Sequence, residues 1–158
     1  MKKILVPTDF TVDSLIVLKQ ALADNQNERL DIILVHGYEL SNSISDLLFF
    51  NKYAIIKSLE NKAFREAKDI IKNKFESQIN SIQSDIFIGY NNQAFKSYLE
   101  SHNIEEAFVP VNYKLKKVHK RSFDIVPFIK NSTPKVVQVE TQDTSLDYTL
   151  DSVSRIFA

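Results

Sequence analysis

Residues 112–122 read Asn112-Tyr113-Lys114-Leu115-Lys116-Lys117-Val118-His119-Lys120-Arg121-Ser122. Lys114, Lys116, Lys117, Lys120 and Arg121, with His119 beside them and no acid between, are the residue types of an anion or phosphate site made from side chains. They equally suit a patch that docks a partner. A run this short is more often a solvated loop. The segment has no glycine, so a cradle of backbone amides wrapped closely around a phosphate is not available to it. Gly37 and Gly89 are the only glycines in 158 residues, which excludes a Gly-rich loop mechanism anywhere in the chain.

Other chemistry is sparse. The absence of cysteine rules out disulfides, thiolate metal sites and a Cys nucleophile, and it fits a reducing compartment. His36, His102 and His119 are too dispersed to suggest a metal site, and no H-x3-H accompanies them. No G-x-S-x-G, H-E-x-x-H or Walker A motif is present. Lys+Arg and Asp+Glu both number 20, so no global charge argues for nucleic acid or a membrane surface. The length suits one domain, enough to bury about 70% of the surface its unfolded chain exposes. Pro7 and Asp9 end the N-terminal apolar run too early for a signal peptide. No stretch reaches membrane-spanning length, and a cytoplasmic protein is expected.

The elements that must position these residues follow from apolar patterning. Continuous apolar runs at 3–7, 30–36, 85–89, 106–111 and 135–139 predict strands, with Gly37 and Gly89 as terminators of two of them. Thr11 is placed to cap a helix over about 12–25. A long helical region is expected from about Ser45 to Phe75, broken near Asn51. Short helices follow at 93–101 and 125–131. Strands alternating with helices imply right-handed βαβ units and a parallel sheet covered on both faces. Ligands in such sheets bind beyond the carboxyl ends of the strands, which gathers Pro7–Asp9, Gly37 and Pro110–Arg121 around one crevice. Asp9 and His36 come near one another there, but no nucleophile is evident beside them. Leu47-Leu48-Phe49-Phe50, with Tyr53, is expected to pack into the core, with a lid over the crevice as the alternative. In combination with Tyr113 these residues would fill the crevice.

Residues 1–140 resemble the universal stress protein family. The resemblance is carried by Ile4-Leu5-Val6-Pro7-Thr8-Asp9-Phe10-Thr11 leading into a helix, by Leu34-Val35-His36 closing the second strand, and by the β-α-β-α-β tail ending Thr133-Pro134-Lys135-Val136-Val137. It implies an α/β fold with a five-stranded parallel sheet sandwiched by helices, Rossmann-like and of the adenine nucleotide alpha hydrolase type, usually dimeric. ATP-binding members carry G-x2-G-x9-G-[S/T] after the fourth strand. Laid on this chain, that spacing falls on Pro110, Tyr113, Phe123 and Asp124. Proline has no N–H to donate. Tyr113 and Phe123 add bulk, and Asp124 (Ser122 in another register) reads as a helix cap that repels an anion. The resemblance also assigns Asp9 to the nucleoside end of ATP in binders. Without the phosphate loop, shaping the strand-to-helix turn is the favoured role for Asp9.

Two further expectations concern assembly. Strand 135–139 lies at a sheet edge and would leave unpaired backbone groups. Family dimers pair this strand, so Val136, Val137, Gln138 and Val139 are expected to form a homodimer edge. Residues 141–158 form a C-terminal extension, predicted helical from Leu146, Leu150, Val153 and Phe157. The reading is a homodimeric regulatory or interaction module in stress response. It binds no ATP, needs no cofactor or metal and has no catalytic residues, and an unidentified protein partner is open to it. The alternative is a nucleotide- or anion-binding sensor using Asp9 and the basic loop, with a nucleotide hydrolase as a weaker third.

Overall fold

A computed structural model describes residues 1–40, 43–132, 134–140 and 157. Strand β1 (Lys2–Pro7) leads through a 3-10 turn (Val12–Ile16) into helix α1 (Val17–Asp24), and β2 (Leu30–Tyr38) follows. Three helices come next, α2 (Ile44–Leu48), α3 (Lys52–Leu59) and α4 (Lys62–Lys74). Then come β3 (Ile79–Phe87), α5 (Asn92–Ser101), β4 (Glu106–Pro110), the two-residue β5 (Ser122–Phe123), α6 (Val126–Lys130) and β6 (Lys135–Val139). Five strands run parallel in the order β3-β2-β1-β4-β6, and β5 joins β2 antiparallel. This is the expected parallel α/β sheet, with one short strand more.

Alternation along the strands divides the apolar residues between two cores. Ile4 and Val6 of β1, Ile32 and Leu34 of β2 and Phe108 of β4 face α1 and α4, where Leu18, Phe64, Ala67 and Ile71 complete the packing. Leu5, Val35, Ala107 and Val109 face α5 and α6, against Phe95, Leu99, Ile125 and Ile129. Burying one such side chain contributes roughly 1.5–3 kcal/mol, so these two layers hold the sheet from both sides.

The long helical region is cut twice. Asn51 and Asn61 accept hydrogen bonds from the amides of Ala54 and Phe64, and each starts a new helix. The first cut corrects the expectation for the apolar segment. α2 is only five residues long, and Leu47, Leu48, Phe49 and Tyr53 are exposed, Phe49 by 83%. Only Phe50 of this group packs against the core. So short a helix, ended before α3 begins, brings no second apolar face against the sheet.

β3 starts six residues earlier than its apolar run suggested. It is an edge strand that carries Asn80, Ser81, Gln83 and Ser84, and a register shift at Leu30/Asp31 breaks its alternation. Gly37 lies inside β2 rather than ending it, paired with Phe123 of β5. A Cβ there would sit 2.6 Å from the Phe123 carbonyl oxygen, so glycine is what lets β5 approach. Phe157, the one residue described beyond Glu140, is 3% exposed and packs edge-on against Phe75. The remainder of the expected extension lies outside the described residues.

Candidate functional site

The chain passes from β1 to β2 and β3 on one side and to β4 on the other, so the crevice of this topology opens at the carboxyl ends of β1 and β4. Pro7 ends β1 and Pro110 ends β4. Between these ends stands Asp9, fully buried. Its Oδ1 accepts from the amide of Thr11 at 3.0 Å and from the Thr11 hydroxyl. Its Oδ2 accepts from the Tyr113 hydroxyl at 2.6 Å and the Lys116 amide at 2.8 Å. Thr11 therefore holds the N-cap position without capping, because its hydroxyl turns back to the nearer charged acceptor and to Tyr113, 3.1 Å away. Both carboxylate oxygens of Asp9 are used within the chain, and what they hold is the start of the basic loop.

Tyr113 is buried beside Asp9 at the crevice. Its ring is 8% exposed, and burial followed by the Asp9 carboxylate pushes its phenol pKa upward. The phenol therefore stays protonated as a donor to Asp9. Of the segment expected to join it there, Leu47 and Phe49 instead line neighbouring surface cavities. The larger, about 460 Å³, is bounded by Leu40, Leu47, Ile88, Tyr90, Phe123 and Phe128.

Phe10, next to Asp9, has φ 61, a backbone region that bulky residues rarely adopt and that costs roughly 1–3 kcal/mol. Its ring is buried against His36 at 4.9 Å and Phe64 at 5.5 Å, which offsets that cost. The turn thus presents Thr8 and Asp9 to the crevice while Phe10 anchors it from below.

The basic side chains diverge. Lys114, Lys116, Lys117 and Lys120 are exposed and Arg121 is half-buried. Lys116 Nζ lies 3.8 Å from Asp13. Lys114, Lys116 and Lys117 line a cavity of about 210 Å³ with His36, Leu115, Ser122, Phe123 and Asp124. Arg121 lines a different cavity beside Tyr38 and Phe50. The structure therefore gathers three of the five cations and separates Arg121 from them. Asp124 is exposed, and its Oδ1 accepts from the Val126 amide at 3.0 Å at the start of α6. Phe123 sits in β5 over Gly37.

A contact absent from the sequence reading lies on the cavity floor. His36 Nδ1 is 2.8 Å from the Thr8 carbonyl oxygen, and its Nε2 is 2.7 Å from Ser122 Oγ. A carbonyl only accepts, so Nδ1 carries the proton and Nε2 accepts from the serine hydroxyl. Burial lowers the His36 pKa, against the opposing pull of the Thr8 carbonyl and the Asp9 charge, which keeps the ring neutral. Eighty-six residues separate the pair, and no local pattern marks Ser122. The nearest sequence signal was His36 at a strand end beside the crevice. Among the described residues, no group of three or more His, Cys, Asp or Glu could hold a metal ion, and no helix is long and apolar enough to cross a membrane.

No family model matches the chain, and no curated protein matches it. Solved structures do. The hypothetical protein PH0823 superposes with a TM-score of 0.51 at 17% identity, over 91% of this chain and 99% of that one. The hypothetical protein MJ0577 gives a TM-score of 0.51 at 23% identity, over 90% and 98%. The universal stress protein UspA from Lactobacillus plantarum gives 0.49 at 13% identity, over 87% and 97%. At these identities the likeness is one of fold, and it rests on the first two.

Proposed function

We propose that this chain is a universal stress-type protein that acts as a homodimeric regulatory or interaction module and does not bind ATP. The reading combines the N-terminal resemblance through Ile4–Thr11 with the shared α/β fold. The observation that carries it is the Asp9 carboxylate, whose two oxygens are taken by Thr11, Tyr113 and Lys116. A nucleoside entering the crevice would have to displace Tyr113 and break those bonds. Pro110 at the end of β4 offers no amide to a phosphate, and Asp124 adds a like charge beside the helix start where an anion would sit.

β6 supports the homodimer. It pairs with β4 on one side only, and among the described residues no strand pairs its other edge. Val136, Val137, Gln138 and Val139 would pair with their counterparts across a two-fold axis. Sedimentation equilibrium is expected to give twice the chain mass, and the Gln138→Pro variant to give the monomer. A monomeric parent protein refutes this part of the reading.

A second reading draws on the three lysines around one cavity, with the serine hydroxyl at its base. They suit a small anion held by side chains. Calorimetry with ATP, AMP, cyclic nucleotides and inorganic phosphate, with mass spectrometry of the purified protein, separates the two. The module reading expects no heat of binding and no co-purified ligand. Micromolar binding that is abolished by reversing the charges of Lys116 and Lys117 would replace it with the sensor.

A further inference from the structure

We propose that Ser122 is a nucleophile activated by His36 and that it accepts the acyl group of small anionic esters. This goes beyond the regulatory reading and stands independently of it. Three observations converge. The first is geometry: Ser122 Oγ lies 2.7 Å from His36 Nε2, and Nδ1 of the same ring is fixed by the Thr8 carbonyl at 2.8 Å. A nucleophile, a base and a group that orients the base are the parts an activated serine needs. The orienting group is itself held, since the Thr8 amide donates to the Val35 carbonyl at 2.8 Å and the Thr8 hydroxyl meets Ser14 at 2.8 Å. Ser122 is held by its place in β5 and by its amide's bond to the His119 carbonyl at 2.9 Å.

The second is access. Serine and histidine are both buried, Ser122 at 7% exposure, yet both line the 210 Å³ cavity. A pair that served only to tie β5 to β2 would need no opening. The third is charge. Lys114, Lys116 and Lys117 line the same cavity with Asp124, and Lys116 Nζ is paired with Asp13 at 3.8 Å. Lys114 and Lys117 outnumber Asp124 and favour a donor that carries a negative charge, and the volume is below the roughly 300–1,000 Å³ of sites for drug-sized ligands. A short acyl chain bearing a carboxylate fits both limits.

In the step itself, Ser122 Oγ adds to the ester carbonyl carbon while its proton passes to His36 Nε2. The imidazolium is supported by the Thr8 carbonyl and the negative charge of Asp9. Lys114 and Lys117 draw the donor's carboxylate into the cavity. Collapse breaks the bond to the leaving oxygen, which takes the proton from Nε2. The products are a Ser122 ester and a free alcohol, with His36 neutral again.

The test uses the full chain with 4-nitrophenyl hemisuccinate, which is anionic, and 4-nitrophenyl acetate, which is neutral. Nitrophenolate release, intact mass and peptide mapping are followed together. One adduct per chain is expected, mapped to Ser122 and absent from Ser122→Ala. The His36→Gln variant should acylate at least about 100-fold more slowly, as loss of a general base implies. Substituting both Lys114 and Lys117 by Gln should slow the hemisuccinate reaction about 10-fold or more while leaving the acetate within about 2-fold. If a variant fails to fold by circular dichroism, labelling of the parent protein with a fluorophosphonate decides the point, with Ser122 as the expected site. Adducts confined to lysines, or a Ser122 rate unchanged in folded His36→Gln, would overturn the proposal. Nucleotide calorimetry reads a different property, so the regulatory reading stands or falls on its own data.

Discussion

Replacing Asp9 with alanine removes the acceptor for four donors: the amide and hydroxyl of Thr11, the Tyr113 hydroxyl and the Lys116 amide. The Thr11 groups are partly exposed and can turn to water. The Tyr113 and Lys116 donors meet the buried Oδ2, and bonds to a charged acceptor contribute about 1.5–3 kcal/mol each. Asp9→Ala is therefore expected to lower stability by about 3–5 kcal/mol. Asp9→Asn keeps one oxygen and puts an NH2 where two donors converge. The Tyr113 hydroxyl can rotate to accept, which leaves only the Lys116 amide stranded, so the cost falls to about 2 kcal/mol. Tyr113→Phe should cost about 1–2 kcal/mol, and the Asp9/Tyr113 double-mutant cycle should show coupling of about 1 kcal/mol or more. Urea denaturation gives the stabilities, and amide exchange shows where protection is lost, which should be residues 111–121. An Asp9→Ala protein within about 0.5 kcal/mol of the parent, with unchanged loop protection, would refute the clamp. If Asp9 instead serves a nucleoside, its removal would change ligand affinity and leave the loop's exchange untouched.

Gly37→Ala should destabilise by about 1–3 kcal/mol, because the new Cβ meets the Phe123 backbone oxygen at 2.6 Å and β5 must shift; thermal melting reads it. His36 has a folded pKa below its unfolded value. Its neutral form therefore supports stability fully above about pH 6.5, and that support is lost as pH falls from there through the lowered folded pKa. Denaturation midpoints across pH 5–8 should show a fall on the acid side that His36→Gln lacks. Phe49→Gln should leave stability within about 0.5 kcal/mol, whereas Phe64→Ala, at a fully buried position, should cost about 3–5 kcal/mol. Equal effects for the two would contradict the division of the helical region at Asn51.

The parts of the fold legible in the sequence are those in which one segment carries its own pattern. β1, the start of β2, and β4 are covered on both faces, so their apolar residues run on without interruption and read as buried strands. Most of β3 escapes the pattern because Asn80, Ser81, Gln83 and Ser84 interrupt its apolar run, and only its C-terminal end resembles its neighbours. The second break in the helical region was hidden because the apolar stripe continues across it, and Asn61 marks the restart only through its side-chain bond to Phe64. Leu47–Phe49 misled because hydrophobicity states a preference for burial but cannot supply the surface that would satisfy it. At the site, Asp9 and Tyr113 were each legible as residues of interest, the one near the turn and the other as bulk in the loop. Their bond was not, since it spans 104 positions. Ser122 was weighed as a helix cap and becomes a partner of His36 only after β5 crosses to β2.

That crossing has a consequence for the order in which the molecule assembles. The segment from Val111 to Phe123 leaves β4, passes the end of β1 and pairs beyond it with Gly37 and Tyr38. Its anchors, Asp9 with Tyr113 and His36 with Ser122, join residues that lie far apart along the chain. They have nothing to attach to until β1, β2 and β4 are already side by side, so closing this strap is a late event. Held mainly by the bonds of Tyr113 and the Lys116 amide to Asp9, the bond of Ser122 to His36 and a two-residue strand, it is also the segment expected to open first in the native protein while the sheet stays intact. The crevice and the Ser122 cavity would then be exposed or sealed by one local fluctuation, at a free-energy cost well below that of unfolding the domain.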